Sequence, residues 1–224
     1  MATDEPARPT GLRESKKAAT RRAIIAAALR LAKEHGLGNV RVEAIAAAAG
    51  VSPRTYNNYF SSREEAICAL SIERAVQLGA RLTARPPGEP LALAIRRAMT
   101  GLYAGNEPDR EVILLIMSTP ALAREFMKAS AAGEQHFADA VADRIGAQRG
   151  RLDVAVLAAA VYAASRVATQ HWLGPGRAGP FVDSLDAALS PLTPVAEALE
   201  AAGPGEPLSL AELAPAIDPR EHRC

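Results

Sequence analysis

The chain has 224 residues, of which 49% are hydrophobic but only 4% aromatic, with 23% charged and a net charge of +1. That length buries a real core in one or two domains, and an Ala-rich, aromatic-poor composition favours closely packed helices over sheet. The net charge points to no polyanionic partner, but its distribution does: the first 63 residues carry +6 and the remainder −5, a basic head on an acidic body.

Residues 1–15 hold Pro6, Pro9 and Gly11 among charges and are expected to form a flexible basic arm. Arg13, with Lys16 and Lys17 just beyond it, is a candidate for DNA contact, a solvated tail being the alternative. A first helix is predicted over 15–34, where Ile24, Ala27, Ala28 and Leu31 recur at helical spacing, and Gly36 ends it. The next stretch, RVEAIAAAAGVSPRTYNNYFSSREE over 41–65, organises the chain. An Ala-rich helix runs to Ala49, and Gly50 supplies the left-handed turn that stops it. Ser52 is a good N-cap and Pro53 fits the first helical position, so a second short helix is predicted over 53–60. Ser62 with Glu65 spells a capping box that opens a further helix over 62–83. Two short helices across a tight Gly turn are a helix-turn-helix in outline. Its second helix carries Arg54, Thr55, Tyr56, Asn57, Asn58 and Tyr59 in one run. Arginine forks onto guanine, asparagine onto adenine, and hydroxyls hold phosphates.

Beyond Arg85-Pro86-Pro87-Gly88 the body reads as further helices over 89–105, 108–118, 120–146, 152–174 and 181–202. Pro191 and Pro194 are expected to kink or split the last one, since each removes a helical hydrogen bond. Residues 203–224 form a Pro-rich tail. No alternating strand pattern occurs, no apolar run approaches the ~18 residues of a membrane span, and Cys68 and Cys224 suggest neither a disulfide framework nor a metal site. The fold class is therefore all-α, with about nine helices.

The segment A-I-A-x-x-A-G-V-S-x-x-T-x-x-x-Y-F, carried by Ile45, Ala46, Ala49, Gly50, Val51, Ser52, Thr55, Tyr59 and Phe60, resembles the DNA-binding domain of TetR-family regulators. Thr20-Arg21, Ile24, Ala27-Ala28 and His35-Gly36-Leu37 fit the same family's first helix and its end. The resemblance implies a three-helix DNA-binding domain over 16–62 and a helical-bundle ligand-binding and dimerisation domain over 63–202. It places Pro53, Arg54, Asn57 and Asn58 at base-reading positions. It assigns Thr55, Tyr59 and Arg63 to the DNA backbone, and Thr20, Arg21 and Arg41, near helix starts, are placed for the same contacts. The family commonly has an aliphatic–Tyr pair after the threonine; the pair here is Tyr56-Asn57, so no operator sequence transfers.

One such head buries only about 600–1,000 Å² on DNA, and two heads on a palindromic double-stranded operator, carried by a homodimer, solve this by symmetry. The small, apolar stretch 152–167 suits the dimer contact, as the family implies; the interior helix of a monomer reads the same way. A small-molecule effector is expected in the body, with Met99, Leu102, Tyr103, Leu114, Met117, Phe126, Tyr162 and Trp172 as pocket candidates. Arg96, Arg124, His136, Arg166 and His171 are possible polar partners, or plain surface residues. Segments between Ser118 and Trp172 are similar to an actinobacterial branch that includes mycofactocin-associated regulators, which implies an apolar or acyl-type ligand. The function implied is a cytoplasmic transcriptional repressor; the alternative is a ligand-independent regulator or activator with a filled body. No phosphate loop, nucleophile motif or metal cluster marks an enzyme, so no catalytic residue, metal, cofactor or membrane partner is expected.

Overall fold

The computed structural model describes residues 10–105, 107–176 and 179–205. Among them lie ten α-helices, two 3₁₀ turns and no strand: α1 (Thr10–His35), α2 (Val42–Ala48), α3 (Pro53–Asn57), α4 (Arg63–Thr83), α5 (Leu91–Gly101), α6 (Arg110–Ser118), α7 (Pro120–Ile145), α8 (Leu152–Leu173), α9 (Phe181–Leu189) and α10 (Thr193–Ala202). They divide into two compact units. One holds the residues up to Ser71 together with Glu111–Phe126, and the other holds Ile72–Arg110 and the residues from Met127 onward. The 3₁₀ turn Ser190–Leu192 separates α9 from α10, as Pro191 and Pro194 predict. Each proline sits in the first turn of its segment, where its missing N–H breaks no helical bond.

Helix α1 begins at Thr10, five residues before its predicted start, so residues 10–15 are helical rather than a flexible arm. Residues 1–9 and the tail beyond 205 lie outside the described residues. Ile24, Ala28 and Ala32 of α1 and Val40, Ile45, Ala46, Tyr56, Phe60 and Ile67 are among the buried apolar residues of the first unit. Helix α6 and the start of α7 belong to the same unit: Val112, Ile116 and Leu122 are buried, and Lys33 pairs with Glu111 at 2.7 Å. Cys68 is buried with its thiol 3.6 Å from the Leu122 carbonyl. Burial, with Glu125 and Glu64 nearby, pushes that thiol up to about 12, so it stays protonated and unreactive at neutral pH.

The second unit is built round Leu78 and Leu82 of α4, Leu91, Ile95 and Met99 of α5, Phe137 and Val141 of α7, Leu157 and Val161 of α8, and Phe181, Leu185 and Leu189 of α9. Helices α4 and α7 cross very closely within it. A Cβ on Gly133 would lie 2.5 Å from the Ala75 carbonyl oxygen, and one on Gly79 would lie 2.9 Å from the His136 carbonyl oxygen. Glycine is required at this crossing for room, not for backbone angle. The Tyr162 hydroxyl donates to the same Ala75 carbonyl, pinning α8 to α4.

The turn before α5 is held by charge. Buried Glu89 receives Arg85 Nε and Nη2 at 2.6 and 2.7 Å and also pairs with Arg97. Arg144 donates to the Pro86 carbonyl at 2.7 Å. The start of α5 is capped from afar, because both Glu200 carboxylate oxygens accept from the Leu91 N–H at 3.0 and 3.1 Å. One sequence expectation is corrected here: Leu152–Leu173 is long and apolar enough to cross a membrane by composition, with mean hydropathy 1.5 over 18 residues. Its buried side accounts for part of that composition, while Leu152, Val156 and Val167 stay exposed. Val154, Leu157, Ala158, Val161, Ala168 and Trp172 of α8 are buried in the second unit's core, and the helix packs along α9.

Candidate nucleic-acid interface

The interface is assembled by local rules around a helix of five residues. At the end of α2 the Val51 N–H reaches back to the Ala46 carbonyl (2.9 Å) and the Gly50 N–H to that of Ala47 (3.1 Å). This is the Schellman pattern, and it needs the left-handed residue that Gly50 supplies at φ 68°. Ser52 then caps α3 by accepting from the Thr55 N–H at 3.0 Å, and Pro53 follows. Helix α3 ends at Asn57, short of the predicted Phe60. The N–H groups of Asn58 and Tyr59 turn to the carbonyls three residues back, at 3.1 and 2.8 Å, a tightening that ends an α-helix.

One side chain fixes how this helix sits. Tyr56 is fully buried, packs its ring 5.9 Å from that of Phe60, and donates its hydroxyl to the Ser62 carbonyl at 2.8 Å. Burial, reinforced by Glu65 and Glu64, raises the phenol to about 12, so it remains a donor. Tyr56 thus fills with its ring the inward position that an aliphatic residue would occupy, and it adds a tether to the start of α4. The capping box is also shifted. Ser62 Oγ accepts from the Glu65 N–H at 3.1 Å, but the Glu65 carboxylate accepts from the N–H and hydroxyl of Ser61, both at 2.7 Å, instead of from Ser62.

With Tyr56 inward, the opposite face of α3 is set outward. Residues advance about 100° each round a helix, which puts Arg54, Asn57 and Asn58 within one arc of about 100° and Tyr56 well away from it. Pro53, Arg54, Asn57 and Asn58 are all exposed. The six residues expected on the DNA backbone are less uniform. Arg41 is exposed at the start of α2, and Thr20 and Tyr59 are half-buried. Thr55 is joined to the cap, its hydroxyl 2.9 Å from that of Ser52. The Arg21 guanidinium lies 4.9 Å from the Phe60 ring centre, a cation–π contact that fastens α1 to the turn after α3. Arg63 turns to the protein: it donates to the Val40 carbonyl and, at 3.0 Å, to Glu64, so it braces the link before α2 against α4.

The eight pocket candidates fall in both units, five in the second and three in the first. Met99, Leu102 and Trp172 are buried in the second unit's core, with Tyr103 and Tyr162 against it. Leu114 and Met117, in the first unit, leave 51% and 44% of their surface exposed, and Phe126 is half-buried there. Phe181, which sequence reasoning passed over, gathers two of the eight. Its ring stands edge-on to Tyr103 at 4.7 Å and to Trp172 at 5.4 Å, and Arg74 and Arg110 stack on those two rings at 5.0 and 4.4 Å. A small cleft lined by Ile95, Arg96, Leu157, Val161, Leu189 and Leu192 contains none of the eight. Arg96 there is bound to Asp186 through two contacts of 2.8 and 2.6 Å. Arg124, His136, Arg166 and His171 are exposed.

Comparison with known proteins gives concordant matches for both halves. The family model described as "Bacterial regulatory proteins, tetR family" matches residues 24–67, and that described as "MftR C-terminal domain" matches residues 86–197. The HTH-type transcriptional regulator TcmR of Streptomyces glaucescens is 33% identical over 183 residues, which take in 72% of this chain and 76% of TcmR. Among solved structures, FadR of Thermus thermophilus, a TetR-family transcriptional repressor in complex with lauroyl-CoA, aligns with TM-score 0.53 at 20% identity. That match covers 77% of this chain and 92% of FadR. The SmeT–triclosan complex aligns with TM-score 0.53 at 20% identity over 77% of this chain and 91% of its own. At such identities these two structures speak to the fold alone.

Proposed function

The chain belongs to the TetR family of bacterial transcriptional regulators, and from that footing we propose that it represses transcription by binding a palindromic operator as a homodimer and lets go when a small apolar or acyl-type molecule enters its body. It is a DNA-binding regulator and not an enzyme. In this reading residues 16–62 hold DNA and residues 63–202 hold the ligand and the partner copy, and the protein works in the cytoplasm, where its operator is. Arg54, Asn57 and Asn58 read base edges, at about 1–3 kcal/mol of discrimination for each good bidentate pair. Arg41, Thr20 and Tyr59 hold phosphates.

The observation that carries the proposal is the outward arc of Arg54, Asn57 and Asn58 on a helix whose opposite side is bolted inward by Tyr56. An exposed run of this chemistry, held so firmly, presents a fixed pattern of donors and acceptors to a groove. For the dimer, α8 supports the proposal: Leu152, Val156 and Val167 are 74%, 56% and 50% exposed, at spacings that share a helix face. For the ligand, support comes from the match to the MftR C-terminal domain and from apolar core-forming residues in the body.

The test is fluorescence anisotropy with DNA from upstream of the protein's own gene, beside sedimentation of the free protein. The proposal expects two copies per site and a loss for Arg54→Ala that is at least tenfold greater on the upstream site than on random DNA. Equal losses on both, or a chain that stays single at every concentration, refute it. A second reading, a regulator with a filled and ligand-blind body, draws on the burial of Met99, Leu102 and Trp172 among core neighbours. Release of DNA by medium-chain acyl-CoAs selects the first reading, and indifference to them and to apolar drugs selects the second.

A further inference from the structure

The first three turns of α1 overshoot the core they belong to. None of residues 13–19 is buried, and burial starts only at Ile24 and Ile25. Taking about 100° of rotation per residue, Ile24, Ala28 and Leu31 define one face of α1, the helix that packs on α2. Running that face back toward the N-terminus meets Thr20, Lys17, Arg13 and, at its edge, Lys16 and Arg21. The same stripe that is apolar where it packs becomes basic over Arg13, Lys16 and Lys17, all of them exposed. Glu14 lies at the margin of this arc. One contact aims the stripe: the Arg21 guanidinium sits 4.9 Å from the centre of the Phe60 ring, just beyond α3. At about 1.5 Å per residue, Lys17 lies roughly 6 Å and Arg13 roughly 12 Å further along the axis.

We propose that Arg13, Lys16 and Lys17 form a second DNA contact, a helical rail that takes phosphates flanking the stretch read by α3. The inference rests on the DNA-binding reading above and adds a site to it. The chemistry is that of a polyanion: three exposed cations on one side of a rod and no acidic residue within the arc they span. Such contacts release counterions and carry no sequence preference.

The experiment uses the full chain and the variant Arg13→Gln/Lys16→Gln/Lys17→Gln, because glutamine keeps helix propensity while removing charge. Affinity for the upstream site and for random DNA is measured between 50 and 300 mM salt by anisotropy. The expected result is an affinity loss of about tenfold or more at 100 mM salt, equal on both DNAs, and a salt slope smaller by about 2–3 for each subunit bound. An unchanged slope in a variant that still prefers the upstream site overturns the rail and leaves the reading helix standing. A wild-type chain that binds neither DNA overturns both. A loss confined to the upstream site also overturns it, because phosphates cannot produce that difference. Circular dichroism and the melting temperature of the free variant are expected to match wild type; if they fall, charge reversal at Lys17 alone supplies the same slope test.

Discussion

Replacing Gly133 by alanine sets two effects of known size against each other. In an exposed helix interior the change stabilises by about 1 kcal/mol, since glycine loses more backbone entropy on folding. Here the new methyl would meet the Ala75 carbonyl oxygen at 2.5 Å and the Tyr162 hydroxyl at 2.8 Å, where ordinary contact begins near 3.4 Å. The first obstacle is backbone and cannot rotate away, so α7 must move off α4; overpacking of this kind costs about 1–3 kcal/mol. The second obstacle is the donor of the Tyr162–Ala75 hydrogen bond, whose loss adds about 1 kcal/mol. The sum outweighs the propensity gain, for a net loss of about 1–3 kcal/mol. At about 2–4 °C per kcal/mol for a chain of this size, the melting temperature falls by roughly 3–10 °C. Thermal and urea unfolding followed by circular dichroism measure it, with Gly38→Ala as the reference. Gly38 has open space where its Cβ would go, so that variant is expected to be neutral or slightly stabilising. A Gly133→Ala protein as stable as wild type, or more so, shows that the crossing has slack and refutes the argument.

Two further outcomes are expected. Tyr56→Phe removes the donor to Ser62 but keeps the ring, and the Ser62 carbonyl retains the Ala66 N–H at 3.3 Å; stability to urea is expected to fall by about 1 kcal/mol and operator affinity with it, while binding to random DNA changes little. Glu89 is held down to about 2, first by the hydrogen bond from Arg85 and then by Arg97, against the pull of burial. A depressed carboxylate stabilises above its unfolded value and loses that contribution as pH falls through its folded one. Glu89→Gln is therefore expected to be less stable than wild type at neutral pH, with the gap closing between about pH 4.5 and pH 2 in urea titrations at stepped pH; a gap that is constant down to pH 2 refutes the role given to Arg85.

The elements legible in the sequence were those written in local chemistry. Gly50, Ser52 and Pro53 mark both sides of the reading turn because caps depend on neighbours within four residues, and Pro191 and Pro194 announce their own break. What escaped depends on partners far along the chain or on which way a side chain turns. The α5 cap comes from Glu200, 109 residues from Leu91. In the run from Arg54 to Tyr59 every residue looks polar enough for DNA, and only the angular position of Tyr56, with Phe60 beneath it, shows that one of them is core. Arg63 reads as a phosphate ligand by position, yet the Val40 carbonyl and Glu64 occupy it. The pocket candidates rest on residue type, and type does not say which apolar side chains face one another; Tyr103 and Trp172 meet at Phe181, the first residue of a predicted helix and not itself a candidate.

Arg54, Asn57 and Asn58 are exposed, and the support for their helix comes from Ser52, Tyr56 and Glu65 instead. Exchanging residues at such outward positions usually moves stability by no more than about 0.5 kcal/mol. With base reading assigned to these residues as proposed, descendants of this gene are free to change which promoters they govern through point mutations that leave the scaffold intact, so regulatory wiring in this lineage is expected to diverge faster than the architecture that bears it.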